Sequence, residues 1–144
     1  MFDQSVAQLE PAACDVDAQV VLIIDDDVDQ ADVLAHRLQS QGFQTLTSTR
    51  GQSGLRLAQN ERPNLIVLDL RLPDTDGFSV CRELADDHRT CDIPVIILSG
   101  MEHPDVIRQV RSSGGRFYVR KPYDPNALLV LVQNALTGDN DCQW

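Results

Sequence analysis

Three continuous apolar runs punctuate the chain: Val20-Val21-Leu22-Ile23-Ile24, Leu65-Ile66-Val67-Leu68 and Val95-Ile96-Ile97-Leu98. They do not alternate with polar residues, and they are rich in β-branched side chains. Each stops abruptly on a polar residue, at Asp25, Asp69 and Ser99. Such runs predict strands buried on both faces. Weaker strands are expected at residues 43–48 and 117–119. Between the strands, apolar positions recur at helical spacing. Val28, Ala31, Leu34, Ala35 and Leu38 form a stripe over residues 28–41, closed by Gly42. Leu55, Leu57 and Ala58 mark a short helix over 53–61, ended before Pro63. Phe78, Cys81, Leu84 and Ala85 mark one over 77–88. Val106, Ile107 and Val110 mark another, opened by Pro104 and ended by Gly114-Gly115. Residues 126–136 form the last.

Strand and helix thus alternate five times, which predicts parallel strands joined by crossover helices on both faces. The expected fold is α/β: a flavodoxin-like, doubly wound, five-stranded parallel sheet of order 2-1-3-4-5 with five helices. With 144 residues, 42% hydrophobic and 24% charged, the chain suits one ordered domain. That domain is expected over residues 19–137, with a flexible acidic N-terminal arm at 1–18 and a polar tail at 138–144.

Charge refines this picture. The net charge is −10, from 22 Asp+Glu against 12 Lys+Arg, which argues against direct nucleic-acid contact. Residues 1–17 contribute −4 and the tail −2, so the domain itself carries only −4. Eleven of the twelve basic residues are Arg, and the single lysine is Lys121. No apolar run approaches a membrane span, and the first 17 residues have neither a basic nor an apolar segment of a secretory signal. The four cysteines, Cys14, Cys81, Cys91 and Cys142, form no CxxC pair. Reduced thiols and a cytoplasmic location are therefore expected.

In a doubly wound sheet, ligands bind beyond the carboxyl ends of the strands. The residues there are Asp25 and Asp26, Asp69, Ser99 and Lys121. Taken singly, an Asp after a strand is equally well a turn or capping residue. Taken together, four strand ends agree, and the only lysine is used there. Three converging carboxylates repel one another, and a hard divalent cation such as Mg²⁺ relieves the repulsion. Three carboxylates and Lys121 leave −2, which one such cation cancels. A site so balanced suits phosphoryl transfer, with Asp69 as the nucleophile that forms an aspartyl phosphate.

The ordered motifs are Val21–Asp27, residues 65–78 around Asp69 and Pro73, Ile96-Ile97-Leu98-Ser99-Gly100, and Tyr118-Val119-Arg120-Lys121-Pro122-Tyr123. Over roughly residues 19–137 they resemble the receiver domain of two-component response regulators, of the single-domain chemotaxis type. The resemblance implies that Asp69 is the phosphoacceptor. It implies that Asp26 and Asp69 ligate Mg²⁺ directly, that Asp25 assists through water, and that the Arg71 backbone carbonyl completes the protein ligands. Lys121 would hold and sense the phosphate. Ser99 would be the switch hydroxyl and Tyr118 the aromatic switch that follows it. The peptide between Lys121 and Pro122 would be cis.

The implied donor is a sensor histidine kinase or phosphotransfer protein. With no effector domain expected after Thr137, the output would be binding of an unknown downstream protein. The chain would be a switch rather than an enzyme, catalysing only its own phosphorylation and dephosphorylation. Arg71 and Met101 are expected to flank the attacking water and so to influence the lifetime of the phosphorylated state. His36, His88 and His103 are read as surface residues. One departure is Gly114-Gly115-Arg116-Phe117, where the family often has Gly-Ala-Asp-Asp. It lies in a locally basic region with Arg108, Arg111 and Arg120.

Rival readings compete for the same residues. Asp74-Thr75-Asp76-Gly77 resembles the DxDG of haloacid-dehalogenase-type phosphatases, with Asp74 and Asp76 as the acids. However, that nucleophile should end a buried strand, and Asp74 follows Pro73 in a turn. A flavin module lacks its phosphate cradle, because Asp25-Asp26-Asp27 would repel a phosphate in the absence of a metal. A calcium loop over this stretch would place Leu72 at its first ligand position.

Overall fold

A computed structural model describes residues 18–100, 108 and 117–137. Nine elements follow in order: β1 (Val20–Ile24), α1 (Val28–Ser40), β2 (Gln44–Ser48), α2 (Gly51–Glu61), β3 (Leu65–Asp69), α3 (Gly77–Asp86), β4 (Val95–Ser99), β5 (Phe117–Arg120) and α4 (Pro125–Thr137). The five strands are parallel and ordered β2-β1-β3-β4-β5, as the alternation predicts. Four helices fall among the described residues. The helix expected after Pro104 lies outside them except for Arg108, as do Met101, His103, Arg111, Arg116, the arm at 1–17 and the tail at 138–144. No helix among the described residues is long and apolar enough to cross a membrane.

The strand runs are continuous because both faces of the sheet are covered. Successive side chains point to opposite faces. Leu22, Ile24, Ile66, Leu68 and Ile97 meet Leu55, Phe78 and Leu84 of α2 and α3. Val21, Ile23, Val67, Ile96 and Leu98 meet Leu34, Leu38, Leu128 and Val132 of α1 and α4. β1, β3 and β4 are essentially closed to solvent beyond Val20.

α3 ends at Asp86, two residues before the expected end at residue 88. Asp87 is extended, and its carboxylate takes the Arg89 N–H at 2.8 Å and the Arg89 guanidinium at 2.8 Å. The Thr90 hydroxyl donates to the Leu84 carbonyl at 2.7 Å. Local side-chain bonds thus replace the next helical turn.

Register decides where the polar residues land. Ile24 pairs with Leu68, Asp69 with Leu98, and Ser99 with Arg120. Backbone bonds continue the ladder one step further: Asp25 N–H to Ser48 O at 3.0 Å, Leu70 N–H to Leu98 O at 3.1 Å, and Lys121 N–H to Ser99 O at 2.8 Å. The strand-end residues of β1, β3, β4 and β5 therefore form one edge.

Gly77 lets α3 begin against that edge. Its N–H donates to Leu70 O at 3.0 Å. A Cβ there would lie 2.5 Å from the Leu70 Cα and 2.7 Å from the Asp69 carbonyl oxygen. Both are backbone atoms and cannot swing aside. Gly77→Ala is expected to displace the end of β3 and to lower stability by about 1–3 kcal/mol, the usual range for overpacking. Urea unfolding measures this, and an unchanged midpoint would show that the helix start can slide freely.

Candidate functional site

Three consecutive acids end β1, and the fold divides them. Asp27 is the N-cap of α1, its carboxylate accepting from the Gln30 N–H at 3.2 Å. Asp25 is buried at 2% exposure, and its Oδ1 accepts from the Asp27 N–H at 3.0 Å. Asp26 is exposed. Across the sheet, Asp69 is 4% exposed, and its Oδ1 accepts from the Arg71 N–H at 3.0 Å. Carboxylate oxygens of Asp25, Asp26 and Asp69 lie within 4.8 Å of one another.

Lys121 supplies the only charge opposing this cluster among the described ion pairs. Its Nζ lies 2.9 Å from Asp69 Oδ2 and 3.5 Å from Asp25 Oδ2. The Lys121-Pro122 peptide is cis, as the resemblance implies. Burial of the ammonium opposes its charge, but the bonds and charges of Asp69 and Asp25 outweigh burial and hold its pKa above the ordinary value. Ser99 is buried at 1% exposure at the end of β4, and its carbonyl anchors the Lys121 N–H. Tyr118 is half-buried on β5 and packs against the α2–α3 side of the core. Arg71 is exposed, and its backbone pairs with Asp76 across a short antiparallel bridge.

The donor set fits a hard divalent cation. It is all carboxylate, two of its three members are buried, and the exposed third leaves the cluster open to solvent. The strain of holding these charges together shows at Asp25. Burial first, and then the bond and charge of Asp69, raise its pKa to about 6, against the pull of the Asp27 N–H and Lys121.

Between pH 3.8 and about 6 the folded chain therefore holds a proton on Asp25 that the unfolded chain has released. With the folded pKa raised, metal-free stability falls as pH rises through that window, by an amount on the order of 2 kcal/mol. Asp87 and Asp74 have lowered pKa values, owing to Arg89 and to the Gln52 and Gly51 N–H groups respectively. Their contributions are lost on acidification below the ordinary carboxylate range, so they act below this window. In chelator, the stability difference between wild type and Asp25→Asn is thus expected to change across pH 4–7. A difference independent of pH would remove the assignment.

Some residues near the site carry no signal in the sequence that singles them out. Tyr123 follows the cis peptide and is half-buried. Burial, and next the Asp25 charge, raise its pKa, so its phenol stays protonated. Asp76 is the N-cap of α3, accepting from the Phe78 N–H at 3.0 Å, and here a signal does exist, since an Asp just before a helical stripe marks that role. Asp74 caps a different helix. Its two oxygens accept from the Gly51 N–H at 2.8 Å and the Gln52 N–H at 3.0 Å, at the start of α2. Nothing local announces that bond. With both acids used as caps, the phosphatase reading of Asp74 and Asp76 is not supported. His36 and His88 are exposed, as expected.

A doubly wound sheet whose carboxyl edge holds three carboxylates around one lysine defines a phosphoacceptor-type α/β module. The chain matches the response regulator receiver domain over residues 21–133 and belongs to that family. It is 32% identical over 118 residues to Protein PilH of Pseudomonas aeruginosa, covering 82% of this chain and 98% of that one. It is 39% identical over 116 residues to the DNA-binding dual master transcriptional regulator RpaA of a Synechocystis strain, covering 81% of this chain and 48% of that one. The chain spans about half the length of RpaA and of several other curated relatives it matches. A solved neighbour is the receiver domain of a sensor histidine kinase from Pseudomonas aeruginosa PAO1, with a magnesium ion coordinated in its active site cleft. That neighbour has a TM-score of 0.76 and 25% identity, covering 83% of this chain and 98% of that one. The chain is a phosphoacceptor signalling domain, homologous to response regulators.

Proposed function

We propose that Asp69 is the phosphoacceptor and that this chain is a Mg²⁺-dependent switch controlling a partner protein. The carrying observation is the Lys121 ammonium 2.9 Å from Asp69 Oδ2, inside a cluster of three carboxylates at the strand ends. Asp26 and Asp69, with Asp25 through water and the Arg71 carbonyl, would hold Mg²⁺. When bound, the ion supplies positive charge to the oxygens of the incoming phosphoryl group.

The chain's own residues do the rest. Lys121, its contact with Asp25, and the Arg71 N–H orient the Asp69 carboxylate. An Asp69 oxygen attacks phosphorus in a phosphohistidine of a sensor histidine kinase or phosphotransfer protein. The P–N bond breaks, its electron pair stays on the departing imidazole nitrogen, and a proton from water neutralises that nitrogen. The Lys121 ammonium then follows the negative oxygens from the carboxylate onto the phosphoryl group. The Ser99 hydroxyl moves toward the same oxygens, and Tyr118 follows it inward. These contacts bias an existing two-state equilibrium, which a downstream protein reads. The reading includes a receiver unit over residues 19–137 flanked by an arm and a tail, a cytoplasmic location, no direct nucleic-acid contact, and no catalysis beyond the chain's own phosphorylation and dephosphorylation.

The test is incubation with acetyl phosphate and Mg²⁺ followed by intact mass measurement. One added phosphoryl group, located on the Asp69 peptide and lost with chelator, is expected. A chain that gains none, or gains it elsewhere, overturns the reading.

A further inference from the structure

The loop between β3 and α3 carries Arg71 and begins on Asp69, yet its middle is tied to a different helix. Asp74 spans to the first residues of α2, more than twenty positions earlier in the chain, with one carboxylate oxygen on each of two backbone N–H groups. These N–H groups have no partner within their own helix, because they belong to its first turn, at the positive end of an eleven-residue helix. The residue that caps α2 locally is Arg50, whose side chain makes no capping bond. Asp74 therefore takes a role that the local sequence leaves open.

A second contact works in the same direction. Gly51 lies directly beneath the loop. A Cβ on it would run into the Thr75 methyl and would come within 3.2 Å of Leu72 Cδ1. The loop is thus seated on α2 by packing on both sides of Asp74 as well as by its two bonds. The other end of the seat reaches the site through Ser48. The Ser48 hydroxyl donates to the Arg50 carbonyl at 2.9 Å, and the Ser48 carbonyl accepts the Asp25 N–H at 3.0 Å. Between these anchors, the Arg71 N–H holds Asp69 Oδ1, and Arg71 and Asp76 pair across the loop.

We infer that Asp74 is a positioning residue of the phosphoacceptor site: by clamping the β3–α3 loop onto the start of α2, it sets the Arg71 backbone and the Asp69 carboxylate for Mg²⁺. The inference rests on the proposed function and extends it to a residue outside the carboxylate cluster. Asp74 is not a member of the carboxylate cluster, and its two bonds go to the start of α2. It acts through the loop, so its loss acts on metal affinity before it acts on the rate of the filled site.

The experiment is calorimetric Mg²⁺ titration of the full chain, together with acetyl phosphate labelling at increasing Mg²⁺. Asp74→Ala is expected to weaken Mg²⁺ binding about tenfold, the lower end of the effect of groups that orient metal ligands. Its labelling rate should return to the wild-type value once Mg²⁺ saturates. Asp74→Asn separates the clamp from a through-space charge effect. It removes the charge but keeps one acceptor oxygen, so its affinity should fall between those of wild type and Asp74→Ala. Equal affinities for Asp74→Asn and Asp74→Ala would make charge alone the cause and overturn the clamp, as would an Asp74→Ala affinity equal to wild type. If Asp74→Ala fails to fold, Asp74→Asn is titrated at low and at high salt: a weakened affinity relative to wild type that persists at high salt supports the clamp, whereas an unchanged affinity, or a deficit that salt removes, overturns it. A wild type that binds no Mg²⁺ overturns the site assignment itself, which distinguishes that failure from failure of the clamp.

Discussion

Asp69→Asn takes up no phosphoryl group from acetyl phosphate, while wild type and Asp74→Asn each gain one. This is the largest expected effect, because the amide lacks the anionic oxygen that attacks phosphorus. The substitution is nearly isosteric. The carboxamide oxygen of Asp69→Asn can still accept the Arg71 N–H that Asp69 accepts at 3.0 Å. Lys121 loses its partner at 2.9 Å but keeps Asp25 at 3.5 Å. The Asp69 charge that helps to raise the Asp25 pKa disappears. The variant should therefore fold at least as stably as wild type at neutral pH in chelator. Loss of labelling with retained stability assigns the effect to chemistry rather than to unfolding. Intact mass and a thermal melt read both quantities. Labelling that persists in Asp69→Asn and vanishes in Asp74→Asn would move the nucleophile to Asp74 and sink the assignment.

Lys121→Met loses about 3 kcal/mol of stability at pH 7 in chelator, within the range seen when one partner of a buried ion pair is removed. Methionine keeps the apolar stem of the lysine but leaves Asp25 and Asp69, both nearly closed to solvent, without their cation. Part of the loss is relieved as the Asp25 pKa climbs further, so the variant should recover stability on acidification toward pH 5. Mg²⁺ should also stabilise the variant more than wild type, since it now supplies the positive charge that the cluster has lost. Lys121→Arg keeps the charge but replaces a compact ammonium with a planar fork. It should restore most of the stability while labelling remains slow, by roughly a hundredfold if the point contact with the phosphoryl oxygens is lost. Urea unfolding with and without Mg²⁺ reads the first effect, and time-resolved labelling the second. Equal stability of Lys121→Met and wild type would mean that solvent already screens the carboxylates.

Much of this site is legible in the chain because the strands are buried on both faces. A continuous apolar run has only one way to end, on the first residue that needs water or a partner. Asp25, Asp69 and Ser99 therefore announce the edge of the sheet as well as the ends of their strands. Lys121 stands out by composition, as the only lysine. The division of labour among Asp25, Asp26 and Asp27 is only partly legible. Asp27 stands directly before the helical stripe, as Asp76 does, and is marked as a cap in the same way, but which of Asp25 and Asp26 is buried is decided by the tertiary fold. The early end of α3 is hidden for a related reason. The apolar stripe ends at Ala85, inside the helix, and does not mark where the helix stops; the bonds of Asp87 and Thr90 do, and no spacing of apolar residues announces them.

The sequence by itself determined the alternation of strand and helix, the burial of the sheet and the residues at its polar edge, because periodicity and strand-end chemistry are local. Tertiary structure alone decided the 2.9 Å contact of Lys121 with Asp69 and the attachment of Asp74 to α2, which join residues 52 and 22–23 positions apart. No local pattern specifies such pairs. They exist because parallel register brings strand ends level and because a helix start leaves N–H groups that any nearby carboxylate can satisfy.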